Sequence, residues 1–577
     1  MDYNKLAELL FPQITRDPAE YESIYPERKL PSGAKVTRLG PSPTGFIHLG
    51  NLYGAFVDER LAHQSGGVFY LRIEDTDDKR LVEGAVETII SSLEFFGVTF
   101  DEGTSMDGDE GAYGPYYQSR RAEIYQTYVK QMLRRGQAYP CFCTEEELAA
   151  IREEQERLKE NPGYYGKWAK HRDLSLEEIQ SRLDEGQPFV VRLRSQGGQT
   201  GQGQSSQTGQ SQGQSSQSSH DPTGQGDAAA DVRTISVEDG IRGTLTMPEN
   251  EQDVVLLKAN GIPTYHFAHV VDDHLMRTTH VVRGAEWLPS LPIHVELFQA
   301  LGWPLPVYCH TAQLMKLEDG NKRKLSKRKD PELSLDYYRS EGYHPKAVRE
   351  YLLTILNSNY EEWRMENPDA SQDDFLFTAE KMSNSGALFD LDKLNDISKD
   401  VLVKIPAAEL CRFLIGWAKA YRPEIAGLLE GDKNYLTRIL DLGRQGDKPR
   451  KDFVSAKQMF EFISYFYDDY FEIQDAYPEN VSDKDAKIIL AAYLNSYDHN
   501  DDQAQWFDKI REIASANGYA AKPKDYKKNP ELYKGHVGDV STVIRIALMG
   551  RSMSPDIWEI QQILGEEKTK ERIKKRI

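Results

Sequence analysis

Long apolar runs are missing from this chain, cysteine is scarce and positive charge is in deficit, and each shortage removes a class of protein. No stretch approaches the roughly 18 apolar residues that a membrane-crossing helix needs. The opening MDYNKLAELLFPQITRDPAE has neither the basic start nor the apolar centre of an export signal. A cytoplasmic protein with no membrane partner is therefore expected. Four cysteines in 577 residues, Cys141, Cys143, Cys309 and Cys411, are too few and too scattered for a disulfide framework. A formal net charge of −20 runs against holding a polyanion by bulk attraction. The positive charge that exists is clustered. Six of the eight residues from Lys322 to Lys329 are basic, and Lys568, Lys570, Arg572, Lys574, Lys575 and Arg576 crowd the other end. Both are expected to give local positive surface, the plain alternative being a solvated charge run.

What is present is a globular composition, 39% hydrophobic with 21 Phe and 31 Tyr, long enough for several domains. Residues 1–33 read as an amphipathic extension. A strand over Ala34–Leu39 leads into the turn Pro41-Ser42-Pro43-Thr44-Gly45. Beyond it Leu49, Leu52, Tyr53, Phe56, Val57 and Leu61 recur at helical spacing, and Val68–Ile73 is a second, continuous apolar strand. Strand, helix, strand implies a parallel sheet. Val82, Val86, Ile89, Ile90, Leu93 and Phe96 predict another helix, and Thr144 with Glu147 three residues on predicts a capping box. The fold class is thus α/β: a Rossmann-type parallel-sheet domain over 34–120 and 261–330, an inserted α+β module over 121–260, and an all-α C-terminal region over 331–577. Inside the insert, residues 196–230 are almost wholly Gln, Gly and Ser, with nothing to bury against the entropy of ordering, so a disordered loop is expected there. Its flanks, PFVVRLR and RTISVEDGIRGTLTMPEN, read as the two arms of a hairpin interrupted at its tip. Near the end, helices are predicted over Val543–Met549 and from Ser554-Pro555 to Gly565.

Two segments carry chemistry. Pro41 to Asn51 stands where a strand ends and a helix begins, so unpaired backbone N–H groups and the helix dipole favour an anion there. Gly45 and Gly50 allow close approach of backbone and nucleotide, and His48 can donate to a phosphate oxygen. Far along the chain, Lys324-Leu325-Ser326-Lys327-Arg328 sets two point charges around a small hydroxyl residue, suited to the charge that builds on departing pyrophosphate. A packed turn and a solvated basic loop are the bland readings of each segment alone.

Together these segments resemble the class I aminoacyl-tRNA synthetases, whose HIGH signature is similar to His48-Leu49-Gly50-Asn51 and whose KMSKS signature is similar to Lys324–Arg328. Four further stretches, TRLGPSPTG from Thr37, LRIEDTD from Leu71, TYHFA from Thr264 with Val271-Asp272-Asp273, and RGAEWL from Arg283, narrow the resemblance to the bacterial glutamyl-tRNA synthetases. The resemblance covers nearly the whole chain apart from the Gln/Gly/Ser tract. It implies ATP-dependent activation of L-glutamate and transfer to tRNA(Glu), with ATP and Mg2+ as cofactors and the protein acting as a monomer. Arg38 and Arg283 would hold the substrate carboxylates, Glu74 and Tyr265 the ammonium group, and Ser42 a further hydrogen bond. Thr44, Gly45, His48, Gly50, Glu286, Trp287, Lys324, Ser326 and Lys327 would line the ATP, with His48, Asn51, Lys324 and Lys327 as the catalytic set. Ala285 departs from the Glu often found there and receives no role. The insert would bind the acceptor end, residues 331–400 the stem, and 401–577 the anticodon.

In some relatives a pair matching Cys141 and Cys143 holds zinc with two later ligands. Here Trp168 and Lys170 stand at those places, and although His171 could be recruited, no metal is expected. A glutamine-charging sister enzyme and a non-catalytic tRNA-binding relative are the alternatives. The second should have lost His48 or the lysine pair, and the long stretch after Asp330 excludes a short enzyme that glutamylates a tRNA base.

Overall fold

The computed structural model describes residues 1–44, 47–77, 81–197, 233–384 and 386–577. From residue 198 the tract expected to be disordered lies outside the described residues, as does Gly45. The chain forms two compact bodies, residues 1–335 with 352–389, and residues 336–351 with 390–577.

In the first body, helices α1 (Tyr3–Leu10) and α2 (Pro18–Ile24) precede a sheet of β1 (Val36–Leu39), β2 (Val68–Leu71), β3 (Glu102–Ser105) and β4 (Gly108–Glu110). β1, β2 and β3 are parallel, Val36 facing Val68 and Tyr70 facing Glu102, and β4 turns back antiparallel on β3. Helix α3 (Leu49–Gln64) makes the crossover between β1 and β2. Its Leu52, Phe56 and Val57 are buried, and so are Asp58, Glu59 and Arg60. A helix covered all round in this way belongs to the middle of an α/β domain. Helix α4 (Ala85–Phe95) begins three residues after Val82, which is exposed rather than part of the helical face.

The next segment holds α5 (Ala122–Arg134), β5 (Ala138–Cys141), α6 (Glu145–Leu158), α7 (Leu176–Asp184), β6 (Val190–Leu193), the pair β7 (Thr234–Asp239) and β8 (Gly243–Pro248), and β9 (Val255–Leu257). The capping box of α6 is present in both directions, Thr144 to Glu147 and back. The interrupted hairpin is not. β6 pairs with β5 and β9, whereas β7 pairs with β8 and meets the sheet of the first body's second half. Burial explains the separation: Val191 and Leu193 are enclosed on both faces, while β7 and β8 leave alternate residues in solvent. Strands with such different cover do not share a face.

Beyond the insert come α8 (Tyr265–Leu275), β10 (His280–Gly284), α9 (Leu291–Leu301), β11 (Val307–Thr311), the hairpin β12 (Leu314–Glu318) and β13 (Asn321–Lys324), and β14 (Ala387–Leu388). β10 is parallel to β11. It also lies along β1: the Thr279 N–H donates to the Val36 carbonyl at 3.0 Å, and the Arg38 guanidinium reaches the Val282 carbonyl at 3.4 Å. Two sheets, β1-β2-β3-β4 and β10-β11-β7-β8, thus meet edge to edge at β1 and β10, and the chain travels outward from that seam in opposite directions, to β2 and β3 on one side and to β11 on the other. Open α/β sheets bind ligands at the carboxyl ends of the strands at such a reversal. Phe267, Val270, Val271 and Leu275 of α8 are fully buried in the core of this body, each worth about 1.5–3 kcal/mol in apolar burial.

The second body is helical, built around Leu410, Leu414, Leu436, Ile489, Val540, Ile544 and Ile560. Its C-terminal basic run is only in part the open positive surface that the sequence suggests, with Lys574, Lys575 and Arg576 exposed. Arg572 is buried, giving Nη1 to the Leu548 carbonyl and Nη2 to Asp468. Lys568 pairs with Asp468, Lys570 with Glu566 and Lys575 with Glu571. The helix predicted from Ser554-Pro555 starts at Ile557, capped by Asp556. Among the described residues, no helix is long and apolar enough to cross a membrane.

Candidate active site

The turn after β1 is organised by hydrogen bonds to its own backbone. Pro41 carbonyl accepts from the Glu74 N–H at 3.0 Å, and Ser42 carbonyl from the Thr44 N–H at 2.8 Å. Ser42 and Thr44 are exposed on it. His48 is the N-cap of α3. Its Nδ1 accepts the Asn51 N–H at 3.2 Å, while the Asn51 Oδ1 accepts the His48 N–H at 3.1 Å. This reciprocal cap has two consequences. It fixes the tautomer, since an Nδ1 that accepts leaves the proton on Nε2. It also makes Asn51 the residue that orients the imidazole. Burial holds the His48 pKa below its ordinary value, so the ring is neutral and offers an N–H rather than a charge. Gly50 sits where a Cβ would come within 3.0 Å of His48 Nδ1.

The lysine segment closes the β12–β13 hairpin and runs into a tight turn anchored by Asp330. That buried carboxylate takes both ends of the Arg323 fork, at 2.6 and 2.8 Å, and the Ser326 N–H at 2.8 Å. Arg323 holds the Asp330 carboxyl down to about 2. Lys316 pairs with Glu332 beside it. The turn leaves Lys324 and Lys327 exposed and Ser326 half-buried. Directly after it the chain returns to the other segment: Ser334 forms an antiparallel bridge with His48, and the Leu335 N–H meets the Ile47 carbonyl at 3.4 Å. The charges of Glu286, Lys324 and Lys327 all act on the His48 imidazole. The two phosphate-suited segments therefore share one region of the first body.

Behind the turn lies a buried ionic cluster. Arg72, wholly enclosed, gives Nη1 to Asp273 at 2.6 Å and Nη2 to Glu74 at 3.0 Å. Arg38 Nε reaches Asp273 at 3.2 Å. Two cations around it keep the Asp273 carboxyl well below its ordinary range despite burial. Burial raises Glu74, against the pull of Arg72 and Arg38. A Cβ on Gly40 would stand 2.4 Å from Glu74 Oε1, so any side chain there displaces that carboxylate. The ring of Tyr265, at the start of α8, lies 4.4 Å from that of Trp287. Its hydroxyl, pushed up to about 12 by burial, feels the charges of Glu74, Arg283 and Arg38. Arg283, at the end of β10, gives Nε to His310 and Nη1 to His294, each at 2.9 Å. Glu286 is exposed and accepts from Gln313 at 3.4 Å.

Sequence reasoning gave no role to Arg72, Asp273, His294 or His310. The signal for Asp273 was available, since two acids in the otherwise apolar face of α8 must have partners. The histidines gave none, because His310 meets Arg283 only through the pairing of β10 with β11 and His294 only through the fold of α9 beside it.

A separate group lies at the end of β5. Cys143 Sγ stands 3.4 Å and Cys141 Sγ 3.8 Å from His171 Nδ1, and the Tyr164 hydroxyl lies 3.4 Å from both sulfurs. Zn–S bonds of about 2.3 Å and Zn–N bonds of about 2.0 Å put tetrahedral ligand edges near 3.6 Å. The set fits zinc, although the Phe142 N–H donates to the same His171 nitrogen at 3.1 Å. The expectation of no metal allowed for His171, and the fold places that histidine beside both sulfurs.

Residues 35–225 and 228–396 match the family model described as tRNA synthetases class I (E and Q), catalytic domain, and residues 531–577 match an anticodon binding domain. A glutamate–tRNA ligase from Acetivibrio thermocellus is 64% identical over all of both chains. One from Clostridium perfringens is 47% identical, covering all of this chain and 99% of the other. The crystal structure of a glutamate tRNA ligase from Elizabethkingia meningosepticum in complex with its amino acid superposes with a TM-score of 0.70 at 27% identity, covering 94% of this chain and 99% of that one. With the strand reversal between β1 and β10 and the His48 and Lys327 segments at one place, these likenesses make the chain a member of the glutamate–tRNA ligase family of class I synthetases.

Proposed function

We propose that this enzyme, acting as a cytoplasmic monomer, activates L-glutamate with MgATP and transfers it to the 3′-terminal adenosine of tRNA(Glu). A glutamate α-carboxylate oxygen attacks the α-phosphorus, the bond to the bridging oxygen breaks, and pyrophosphate leaves with that electron pair. A terminal ribose hydroxyl of the tRNA then attacks the glutamyl carbonyl carbon, and AMP departs. No protein nucleophile is required, so catalysis is positioning and stabilisation of phosphate charge. His48 donates its Nε2 proton in a hydrogen bond to a phosphate oxygen without giving it up. Lys324 and Lys327 neutralise the pyrophosphate, with Ser326, Thr44, Gly45 and Gly50 along the nucleotide and Glu286 and Trp287 beside it. Arg38 and Arg283 bind the substrate carboxylates, and Glu74, Tyr265 and Ser42 the amino group. Residues 121–260 meet the acceptor end, 331–400 the stem and 401–577 the anticodon. Cys141, Cys143 and His171, with the Tyr164 oxygen as a fourth ligand, would hold a zinc ion that ties β5 to the 164–171 loop and takes no part in the reaction.

The observation that carries this reading is the bridge between His48 and Ser334, which ties the turn after β1 to the end of the lysine turn. Lys327→Ala is expected to slow single-turnover adenylate formation by about 100-fold or more, the scale of losing one preorganised charge contact, while tRNA affinity stays within a few-fold. An unchanged rate of adenylate formation would defeat the assignment.

A further inference from the structure

Arg283 is held without a carboxylate, and this separates it from the other buried arginines of the site. Arg38 and Arg72 both lie on Asp273. Arg283 instead gives Nε to His310 Nε2 and Nη1 to His294 Nδ1, and its guanidinium carbon lies 4.5 Å from the centre of the Tyr308 ring. Its Nη2 is buried with no acceptor. The two histidines are fully buried and Arg283 is only 8% exposed. Such an orphan donor on a charged group is costly unless something fills it.

One guanidinium fixes every tautomer around it. Arginine has donors only, so His310 Nε2 and His294 Nδ1 must both accept. The His310 proton is then on Nδ1, pointing at Asp239 Oδ2 2.6 Å away. The His294 proton is on Nε2, donated to His266 Nδ1 at 3.0 Å. Asp239 comes from β7, and its Oδ1 also accepts the N–H groups of Ile241 and Arg242, so its charge is already shared. Burial keeps His294 and His310 below their ordinary pKa, which agrees with neutral rings.

We infer that His310 and His294 are positioning residues that hold Arg283 by neutral acceptors, so that its charge is left for a carboxylate of the bound amino acid. This rests on the assignment of Arg283 to a substrate carboxylate. A carboxylate in place of either imidazole would grip the guanidinium as firmly but neutralise it, and the substrate would then compete with a built-in anion. The β7–β8 hairpin thus reaches the amino acid through Asp239 and His310 without touching it.

The test is tRNA-dependent pyrophosphate exchange with melting temperatures measured alongside, on Arg283→Ala and on His310→Gln, His310→Leu and His310→Glu. Loss of one charge-assisted contact predicts KM for glutamate up by about tenfold in His310→Leu, with KM for ATP within about twofold. His310→Gln, whose amide oxygen can accept from Nε, recovers most of the loss. His310→Glu is expected to be worse than His310→Leu for glutamate, even if it melts higher. Glutamate KM in His310→Glu at the wild-type value, or equal increases for glutamate and ATP in His310→Leu and His310→Gln alike, would overturn the inference. An Arg283→Ala enzyme with unchanged glutamate KM would instead overturn the assignment of Arg283 itself.

Discussion

At the scale of single residues, the site is built by side chains that hold one another before any substrate arrives. His48 and Asn51 cap each other, so the imidazole presents its Nε2 proton without depending on the ligand. Glu74 is placed by Arg72 on one side and by the bare Cα of Gly40 on the other. Gly40→Ala would drive a methyl to 2.4 Å from the Glu74 carboxylate, and the carboxylate must turn away. Steady-state exchange kinetics on this variant should give a KM for glutamate higher by about tenfold or more, the effect of one misplaced charged contact, with KM for ATP little changed. Equal KM values in variant and wild type would mean that Glu74 does not address the amino acid. Much of this scale was legible in the sequence. The residues of the strand–turn–helix segment and of the lysine turn are contiguous, and local spacing alone announces their chemistry. Arg72 was not legible, because its partner Asp273 lies 201 positions away, and neither were the histidines around Arg283, which meet it only once α9 and β11 fold back beside β10.

Elements were read with mixed success, and burial accounts for the difference. β1, α3 and β2 follow each other with short connections, so periodicity and order were enough to give a parallel unit. β6 and β7 flank a long polar tract and invite pairing, yet they join different sheets because one is covered on both faces and the other is not. The same limit applies to the cysteine pair. Counting from Cys143 to the expected ligand positions finds Trp168 and Lys170, but the 3-10 turn over Gly166–Trp168 carries the chain round to put His171 beside the sulfurs. The hydrogen bond from Cys143 draws the Cys141 thiol below its ordinary value. A lowered thiol pKa favours the thiolate, the form that binds metal. Elemental analysis of protein purified without chelator should find about one zinc per chain, the stoichiometry of a single structural site, and chelation should lower the melting temperature. Protein free of zinc, with melting unmoved by chelator, would leave the three ligands a hydrogen-bonded cluster only.

On the scale of the whole molecule, two bodies with separate cores divide the chain, and the division does not follow the sequence linearly, since residues 336–351 belong to the helical body and 352–389 to the first. Composition could not show that, because one helix, Pro345–Leu356, runs across the boundary. Each body buries a neutral histidine, which makes both sensitive to acid. Burial lowers His344 from 6.5 to about 4 in the helical body and His269 to about 4 in the other. With the folded value below the unfolded one, the unfolded chain takes up protons first as pH falls below 6.5, so stability drops between 6.5 and about 4. Burial raises Asp58 and Glu74, which act in the opposite sense. The histidine contribution is therefore read as a difference between proteins: His344→Gln should lose less melting temperature than wild type between pH 7 and 5. Parallel losses in the two proteins would remove His344 from the account.

The central claim is that His48 and the lysine turn act on one triphosphate. A double-mutant cycle in tRNA(Glu)-dependent pyrophosphate exchange, with wild type, His48→Ala, Lys327→Ala and the double variant, tests it most directly. Each single change is expected to reduce exchange by about 100-fold or more, and the double loss should differ from the product of the two by about threefold or more, the coupling of groups on one ligand. Two losses that simply multiply, or a single variant that exchanges at the wild-type rate, would contradict it.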